Sequence, residues 1–265
     1  HGEMSLNKTI IGLAQEFTGS NNINHLLPKG QFGTRLEGGK DSASERYIYT
    51  QLNPITRFIY PESDDKILNY LDDDGTSIEP DYYLPIIPMI LVNGGKGIGT
   101  GFCYEGLCYN VNNIIQYLKK KLTNKKENIK IEPYYEGFKG DIIPLNNGDK
   151  YLFKGKYKVV SSDTINVTEL PIGLWTITFK EILDKLMDDK DKKGKKRTPI
   201  VKSFKDDCTD ALVDFTIKFS PGVLSKLVTK KVDNNINLLE KTLKLTSTKI
   251  TTNMYLFDHQ QKLKK

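Results

Sequence analysis

An arginine and a tyrosine, Arg46 and Tyr47, stand side by side after a polar, glycine-rich stretch that begins at Gly38 and reads GGKDSASE. A free phenol has a pKa near ~10 and is a poor nucleophile at neutral pH. A neighbouring guanidinium favours the phenolate and can also hold phosphate oxygens. The pair is therefore suited to attack on a phosphodiester, while a structural role for Tyr47 fits the residues equally well.

The elements around this stretch are predicted from periodicity. Apolar residues in segment 3–17 follow a helical spacing with one buried face, and segment 18–22 ends that helix. Segment 21–27 is compatible with a short second helix. Segment 48–60 has enough apolar residues for another helix, which Pro54 would kink or begin.

The pattern changes further along the chain. Segment 64–73 predicts a short helix that Gly75 ends. The change of sequence pattern near residue 85 predicts a domain boundary there. Helices are predicted at Val111–Leu122 and at residues 175–187. Short runs of alternating or β-branched residues predict strands, at residues 151–160, 164–170 and 211–219.

Composition narrows the possible functions. The 265 residues carry a net charge of +6, which permits a nucleic-acid or anionic-membrane partner without requiring one. No run of about 18 apolar residues is present, so no membrane span is predicted. The three cysteines lack CxxC spacing, which favours reduced thiols in a reducing compartment over a disulfide scaffold or a zinc site. Because the chain begins at His1 as if inside an element, we expect a piece of a longer protein.

Several simpler motifs of nucleotide- and metal-binding sites do not match this sequence. GGKGIGTG, at residues 94–101, does not match a phosphate-binding P-loop. Its Ile98, a large apolar residue between glycines, either packs onto its own domain or is presented to a partner. The acidic triplet at residues 72–74 is interpreted as a solvated turn and not as a Mg²⁺ site. The charged run 188–197 predicts a mobile, solvated loop, with contact to DNA phosphates as the alternative.

Longer motifs carry a family resemblance. The stretches HGEMSL, GQFGTRLEGGKDSASERYIYT, EPDYYLPIIPMILVNGGKGIGTGF and NMYLFDH resemble the DNA breakage–reunion region of eukaryotic-type type IIA DNA topoisomerases, and weaker similarity covers essentially the whole chain. The resemblance implies an α+β fold in which the later part of a winged-helix (helix-turn-helix) domain, residues 1–85, is followed by a mixed α/β tower domain, residues 86–265.

The same resemblance implies roles for individual residues. Tyr47 would be the nucleophile that joins a 5′ phosphate of cut DNA, with Arg46 and His1 at the scissile phosphate. Ile98 would wedge between base pairs and bend the duplex. DNA contacts are expected from Lys40, Ser42 and Lys96. One departure is Glu45, since the family often carries proline at that position.

The implied activity is that of an ATP-dependent type II topoisomerase, which cuts both DNA strands transiently for strand passage, relaxation and decatenation. The resemblance places ATP and Mg²⁺ on the ATPase and Toprim domains of a full-length nuclear homodimer, whose partner subunit supplies Toprim to the tyrosine. Neither domain has a counterpart in this sequence, so the segment alone is expected to be inactive and to bind no metal. The alternative is a non-catalytic winged-helix module that only binds DNA.

Overall fold

A computed structural model describes residues 2–123, 129, 131–189, 196 and 198–265. The fold is a mixture of helices and strands, as predicted from the sequence, and the paired strands are antiparallel. The helices are α1 (Glu3–Ala14), α2 (Thr56–Ile59), α3 (Met89–Val92), α4 (Val111–Leu122), α5 (Thr176–Met187), α6 (Val223–Thr229) and α7 (Leu238–Thr242). The described part of the chain contains no helix that is both long and apolar enough to cross a membrane.

The strands are short and pair with antiparallel neighbours. They are β1 (Leu26–Lys29), β2 (Tyr49–Leu52), β3 (Tyr70–Asp73), β4 (Thr76–Pro80), β5 (Gly95–Ile98), β6 (Cys103–Gly106), β7 (Asp141–Leu145), β8 (Lys150–Lys154), β9 (Lys156–Val159), β10 (Thr164–Glu169), β11 (Val201–Asp206), β12 (Phe215–Phe219), β13 (Thr246–Ile250), β14 (Leu256–Phe257) and β15 (Leu263–Lys264). Two larger sheets have the orders β11-β12-β10-β9 and β13-β8-β7. The remaining strands form two-stranded pairs: β1 with β2, β3 with β4, β5 with β6, and β14 with β15.

Two hydrophobic clusters form the core. The first cluster joins one face of the four-stranded sheet to α5, α6 and α7, with Phe179 and Phe215 in edge-to-face contact at 5.1 Å. The alternation along β10, where Ile165 and Val167 are fully buried, supplies that face. The second cluster contains Phe153 of β8 together with buried residues of α3 and α4.

Several predicted elements are confirmed. α4 has the predicted bounds, and Asn110 caps it by accepting the N–H groups of Asn112 and Asn113. The helix predicted at residues 175–187 begins at Thr176 and ends at Met187. The runs predicted as strands contain strands β8, β9, β10 and β12, although the last begins only at Phe215.

The first helix is shorter than predicted, and the second is absent. α1 ends at Ala14 because Gln15 adopts an extended backbone. Segment 21–27 is not helical. The side chain of Asn21 donates to the carbonyl of Gly12, at 2.7 Å, and that of Asn22 to the carbonyl of Val92, at 3.0 Å. These side chains serve carbonyl groups elsewhere and leave the backbone free to enter β1.

Two other helix predictions were partly wrong for a common reason. In segment 48–60, residues 49–52 form β2, which pairs with β1, and only Thr56–Ile59 is helical, after a turn at Pro54. In segment 64–73 a 3-10 helix, Glu62–Ile67, gives way to strand β3. In both cases pairing with another strand outweighs local propensity.

Candidate functional site

The arginine–tyrosine pair lies on the surface at the end of the glycine-rich loop. Glu45–Tyr47 forms one turn of 3-10 helix, in which the N–H of Tyr47 donates to the carbonyl of Ser44 at 2.9 Å. The Tyr47 side chain is 70% exposed, and the guanidinium carbon of Arg46 lies 5.5 Å from the centre of its ring. The phenol is therefore accessible to a macromolecule and has a cation directly beside it.

The loop that leads to this turn, residues 30–44 (the Tyr47 loop), is held by hydrogen bonds within itself and to Gln15, which directly follows α1. The amide nitrogen of Gln15 donates to the carbonyls of Phe32, at 2.9 Å, and Gly39, at 3.2 Å. The carboxylate of Asp41 accepts the N–H of Thr34 at 2.9 Å and its hydroxyl at 2.5 Å. These contacts fix the start and the end of the loop against each other.

Lys40 and Ser42, predicted to contact DNA, lie on the same loop. Lys40 is exposed and Ser42 is half-buried. The N–H of Ala43, next to Ser42, donates to the carbonyl of Gln31 at 2.9 Å. The loop therefore presents a cation and a hydroxyl a few residues ahead of Tyr47.

Ile98 and Lys96 lie on a separate hairpin made of β5 and β6. Ile98 pairs with Cys103 next to the loop that connects the two strands, and its side chain is 83% exposed. The alternative that Ile98 packs inside its own domain does not hold in the described structure. Lys96 is also exposed and pairs in register with Glu105.

A polar cavity of about 360 Å³ connects this hairpin to α1. Its lining includes Gln15 of the loop anchor, Lys96 and Glu105 of the hairpin, and Lys249. The ammonium group of Lys249 lies 3.1 Å from the carboxylate of Glu105. The hairpin and Gln15, which holds the Tyr47 loop, thus border the same space.

Two predictions lie outside the described residues. They concern His1 and most of the charged run 188–197, within which residues 190–195 and 197 are not described. The phosphate contact of His1 and the contact between that run and DNA therefore stay predictions.

The other nucleophile and metal candidates are weak in this structure. Burial raises the pKa of the thiols of Cys108 and Cys208 to about 12, so both stay protonated at neutral pH. Asp72 accepts the N–H of Gly75 in the turn between β3 and β4, as expected of a turn residue. Among the described residues, no three His, Cys, Asp or Glu side chains are grouped so as to hold a metal ion.

His25 lines a largely apolar cavity of about 570 Å³. Burial lowers the pKa of its imidazole. Its Nε2 lies 3.4 Å from the hydroxyl of Tyr60, and its buried Nδ1 has no hydrogen-bond partner in the described structure. The imidazole is therefore neutral near pH 7.

Comparison with known proteins decides the family. The family model that describes the A subunits of DNA gyrase and topoisomerase IV matches residues 1–265. The chain belongs to this family. It is 45% identical to DNA topoisomerase 2 of Pisum sativum over 97% of its own length and 17% of the relative's. It is 44% identical to the mitochondrial DNA topoisomerase 2 of Dictyostelium discoideum, over 100% of this chain and 19% of the relative.

A solved structure of this topoisomerase family has the same fold. The chain superimposes with a TM-score of 0.89 on the DNA-binding, cleavage and re-ligation domain of Plasmodium falciparum topoisomerase II, at 45% identity. The match covers 100% of this chain and 34% of that one. The predicted resemblance is confirmed, and this topoisomerase segment spans less than a fifth of the length of the curated relatives named above.

Several residues that shape the site were not predicted from the sequence. They are Gln15 and Asp41, which hold the loop, and the buried pair of Arg35 and Glu169, 2.5 Å apart. Asp41 follows the turn-forming glycines closely, which could have marked it as a loop-closing side chain. Arg35 and Glu169 are 134 residues apart and have no local signal.

Proposed function

We propose that this chain is the DNA breakage–reunion segment of an ATP-dependent type II topoisomerase and that Tyr47 is its nucleophile. The observation that carries the proposal is the placement of Tyr47: 70% exposed, beside Arg46, at the end of a loop held by Gln15 and Asp41. A tyrosine that served packing alone would be buried, and it would not need an anchored loop.

In the proposed reaction the phenolic oxygen of Tyr47 attacks a backbone phosphorus of DNA. A new O–P bond forms to the 5′ phosphate, the bond to the 3′ oxygen breaks, and that oxygen takes up a proton as the phenol loses one. The guanidinium of Arg46 counters the charge that develops on the phosphate oxygens. The tyrosyl ester conserves the energy of the phosphodiester bond, so the reverse attack by the 3′ hydroxyl rejoins the strand without ATP.

The remaining residues are proposed to bind and bend the duplex. Lys40, Ser42 and Lys96 would contact the DNA backbone, which fits their placement on the Tyr47 loop and on the β5–β6 hairpin. Ile98 would enter a base step, at a cost of a few kcal/mol of unstacking that contacts to the bent duplex offset. His1 would approach the scissile phosphate, a role that rests on the resemblance alone.

The finer architecture belongs to the same proposal. Residues 1–85 would be the later part of a winged-helix domain and residues 86–265 a tower domain. The described side chains do not fit a metal site, so no step is assigned to a metal held by this chain. Mg²⁺ and ATP are expected on other parts of a full-length homodimer. A nuclear location is expected, with a mitochondrial one as the alternative that the Dictyostelium relative's name raises.

The test is capture of a covalent protein–DNA adduct by the full-length protein. Tyr47→Phe should abolish the adduct and leave DNA affinity nearly unchanged, because binding rests on many phosphate contacts. Tyr49→Phe is the matched control: Tyr49 lies two residues away and is 72% exposed, so its loss should leave the adduct in place. An adduct that persists in Tyr47→Phe would refute the assignment. If DNA binds but neither the wild type nor any variant forms an adduct, the non-catalytic DNA-binding module is the better description.

A further inference from the structure

A tryptophan from the distant part of the chain lies against the Tyr47 loop. The five-membered ring of Trp175 contacts the backbone of Gly38 so closely that a Cβ built at Gly38 would overlap it. The six-membered ring faces Gly19, where an added Cβ would lie 3.2 Å from Cη2. Phe17 lies edge-on to the indole, with 5.7 Å between the ring centroids. The indole is thus enclosed by the end of the α1 region on one side and by the glycine loop on the other.

The backbone that follows Trp175 is bonded to the same loop. The first N–H groups of a helix have no partner within it and need an external acceptor. In α5 the N–H of Thr176 donates to the carbonyl of Arg35 at 3.4 Å, and that of Ile177 donates to the carbonyl of Leu36 at 3.1 Å. The side chain of Trp175 provides no cap, so the loop carbonyls take that place.

A buried ion pair fastens the same short segment. Arg35 and Glu169 have side chains only 8% and 1% exposed. The Glu169 carboxylate also accepts the N–H groups of Leu170, at 2.9 Å, and Lys139, at 3.1 Å. A buried pair with its remaining lone pairs satisfied resists movement, because separating it would leave a buried charge without a partner.

We propose that Trp175 is a positioning residue for DNA cleavage: its indole sets the place of Gly38 and, through the loop, that of Tyr47. This inference rests on the proposed function of Tyr47. Gly38 has φ +66°, a conformation that suits glycine, and next to it the N–H of Gly39 donates to the carbonyl of Thr34 at 2.8 Å. Thr34 in turn is held by Asp41, so a shift at Gly38 is passed to both ends of the loop.

The expected effect is on the cleavage step and not on DNA binding. A displacement of about 1 Å at a reacting group can lower a rate by about 10²-fold. Trp175→Ala in the full-length protein should therefore slow single-turnover adduct formation by at least about tenfold, while the dissociation constant for the same duplex changes by about twofold or less. Trp175→Phe, which keeps a ring against Gly38, should recover part of the rate and serves as the test if the alanine variant does not fold.

The matched control is Phe179, which lies in α5 about one turn after Trp175. Phe179→Leu disturbs the core beneath α5 without touching the loop, since Phe179 is fully buried against Phe215. It should lower the melting temperature and leave the cleavage rate, measured well below that temperature, unchanged. An equal loss of cleavage rate in Phe179→Leu would show that Trp175 acts only through stability and would overturn the proposal.

A double substitution tests the contact itself. Gly38→Ala should slow cleavage in the wild type, because the new Cβ meets the indole, and should add less in the Trp175→Ala background, where only the strain of positive φ remains. If the fold-losses of cleavage rate in the two single variants simply multiply in the double variant, the inference is contradicted. A cleavage rate of Trp175→Ala within twofold of wild type would contradict it as well. Tyr47→Phe in the same assay separates the two claims. An adduct formed by Tyr47→Phe refutes the proposed nucleophile. If Tyr47→Phe forms no adduct while Trp175→Ala forms it at the wild-type rate, only the positioning role is refuted.

Discussion

The Tyr47 loop and the β5–β6 hairpin are both glycine-rich, but they differ in how closely other parts of the chain pack against Gly33 and Gly97. At Gly33 an added Cβ would lie 2.6 Å from backbone atoms of Gly39, and the loop is tied to α1 and α5 by side chains and backbone. At Gly97 nothing lies within 4 Å of an added Cβ, and the neighbouring Ile98 is among the most exposed apolar residues described. The difference fits the proposed roles, since a nucleophile at Tyr47 would need a fixed position and a wedge at Ile98 would need to extend into the duplex.

The largest effect is expected at the arginine beside the tyrosine. Arg46→Ala in the full-length protein should slow adduct formation by about 10²–10³-fold, the range seen when a group that stabilises transition-state charge is removed. Binding of the duplex should weaken only a few-fold, because many other contacts to phosphates remain. The measurements are the single-turnover adduct rate and the dissociation constant. Parallel losses in the two would make Arg46 a binding residue only.

A pair of glycine substitutions tests whether the backbone of the loop is more constrained than that of the hairpin. Gly33→Ala should destabilise the protein by about 1–3 kcal/mol, because φ is +98° and the new methyl group meets the Gly39 backbone. Gly97→Ala should change the free energy of unfolding by less than about 0.5 kcal/mol. Denaturant unfolding of the two variants provides the check. Equal destabilisation would mean that the hairpin is as tightly constrained as the loop.

The smallest effect on stability is expected at Ile98, the proposed wedge. Ile98→Ala should reduce the bend of bound DNA, measured by energy transfer between end-labelled dyes, and leave the melting temperature almost unchanged. The side chain is exposed, so its removal leaves no cavity and no unpaired polar group. An unchanged bend with a clearly lower melting temperature would show that Ile98 supports its own domain instead of the duplex.

Elements that depend on contacts between residues close in the chain could be predicted from the sequence, and elements that depend on contacts with a distant segment could not. α4 and α5 were predicted almost residue by residue, because an apolar helical period marks both and Asn110 caps the first. Strand β2 was mistaken for helix because its four residues are all exposed and its structure is fixed by pairing with β1, about 20 residues earlier. Such a pairing leaves little local signal.

The candidate site divides in the same way. Arg46 and Tyr47 are neighbours in the chain, so their chemistry could be predicted from residue types and from the long motifs around them. Trp175 and Glu169 reach the loop from more than 130 residues away, and their contacts exist only in the folded chain. The residues proposed to perform the chemistry could therefore be predicted from the sequence, and the residues that hold their loop in place could not.

Identification of the residue that becomes linked to DNA tests whether Tyr47 is the nucleophile. The full-length protein would be trapped on cleaved DNA under denaturing conditions, digested with nuclease and protease, and the modified peptide sequenced by mass spectrometry. The account predicts a nucleotide on the phenolic oxygen of Tyr47 and none on Tyr49. A nucleotide on Tyr49, or on any other residue in place of Tyr47, would contradict it.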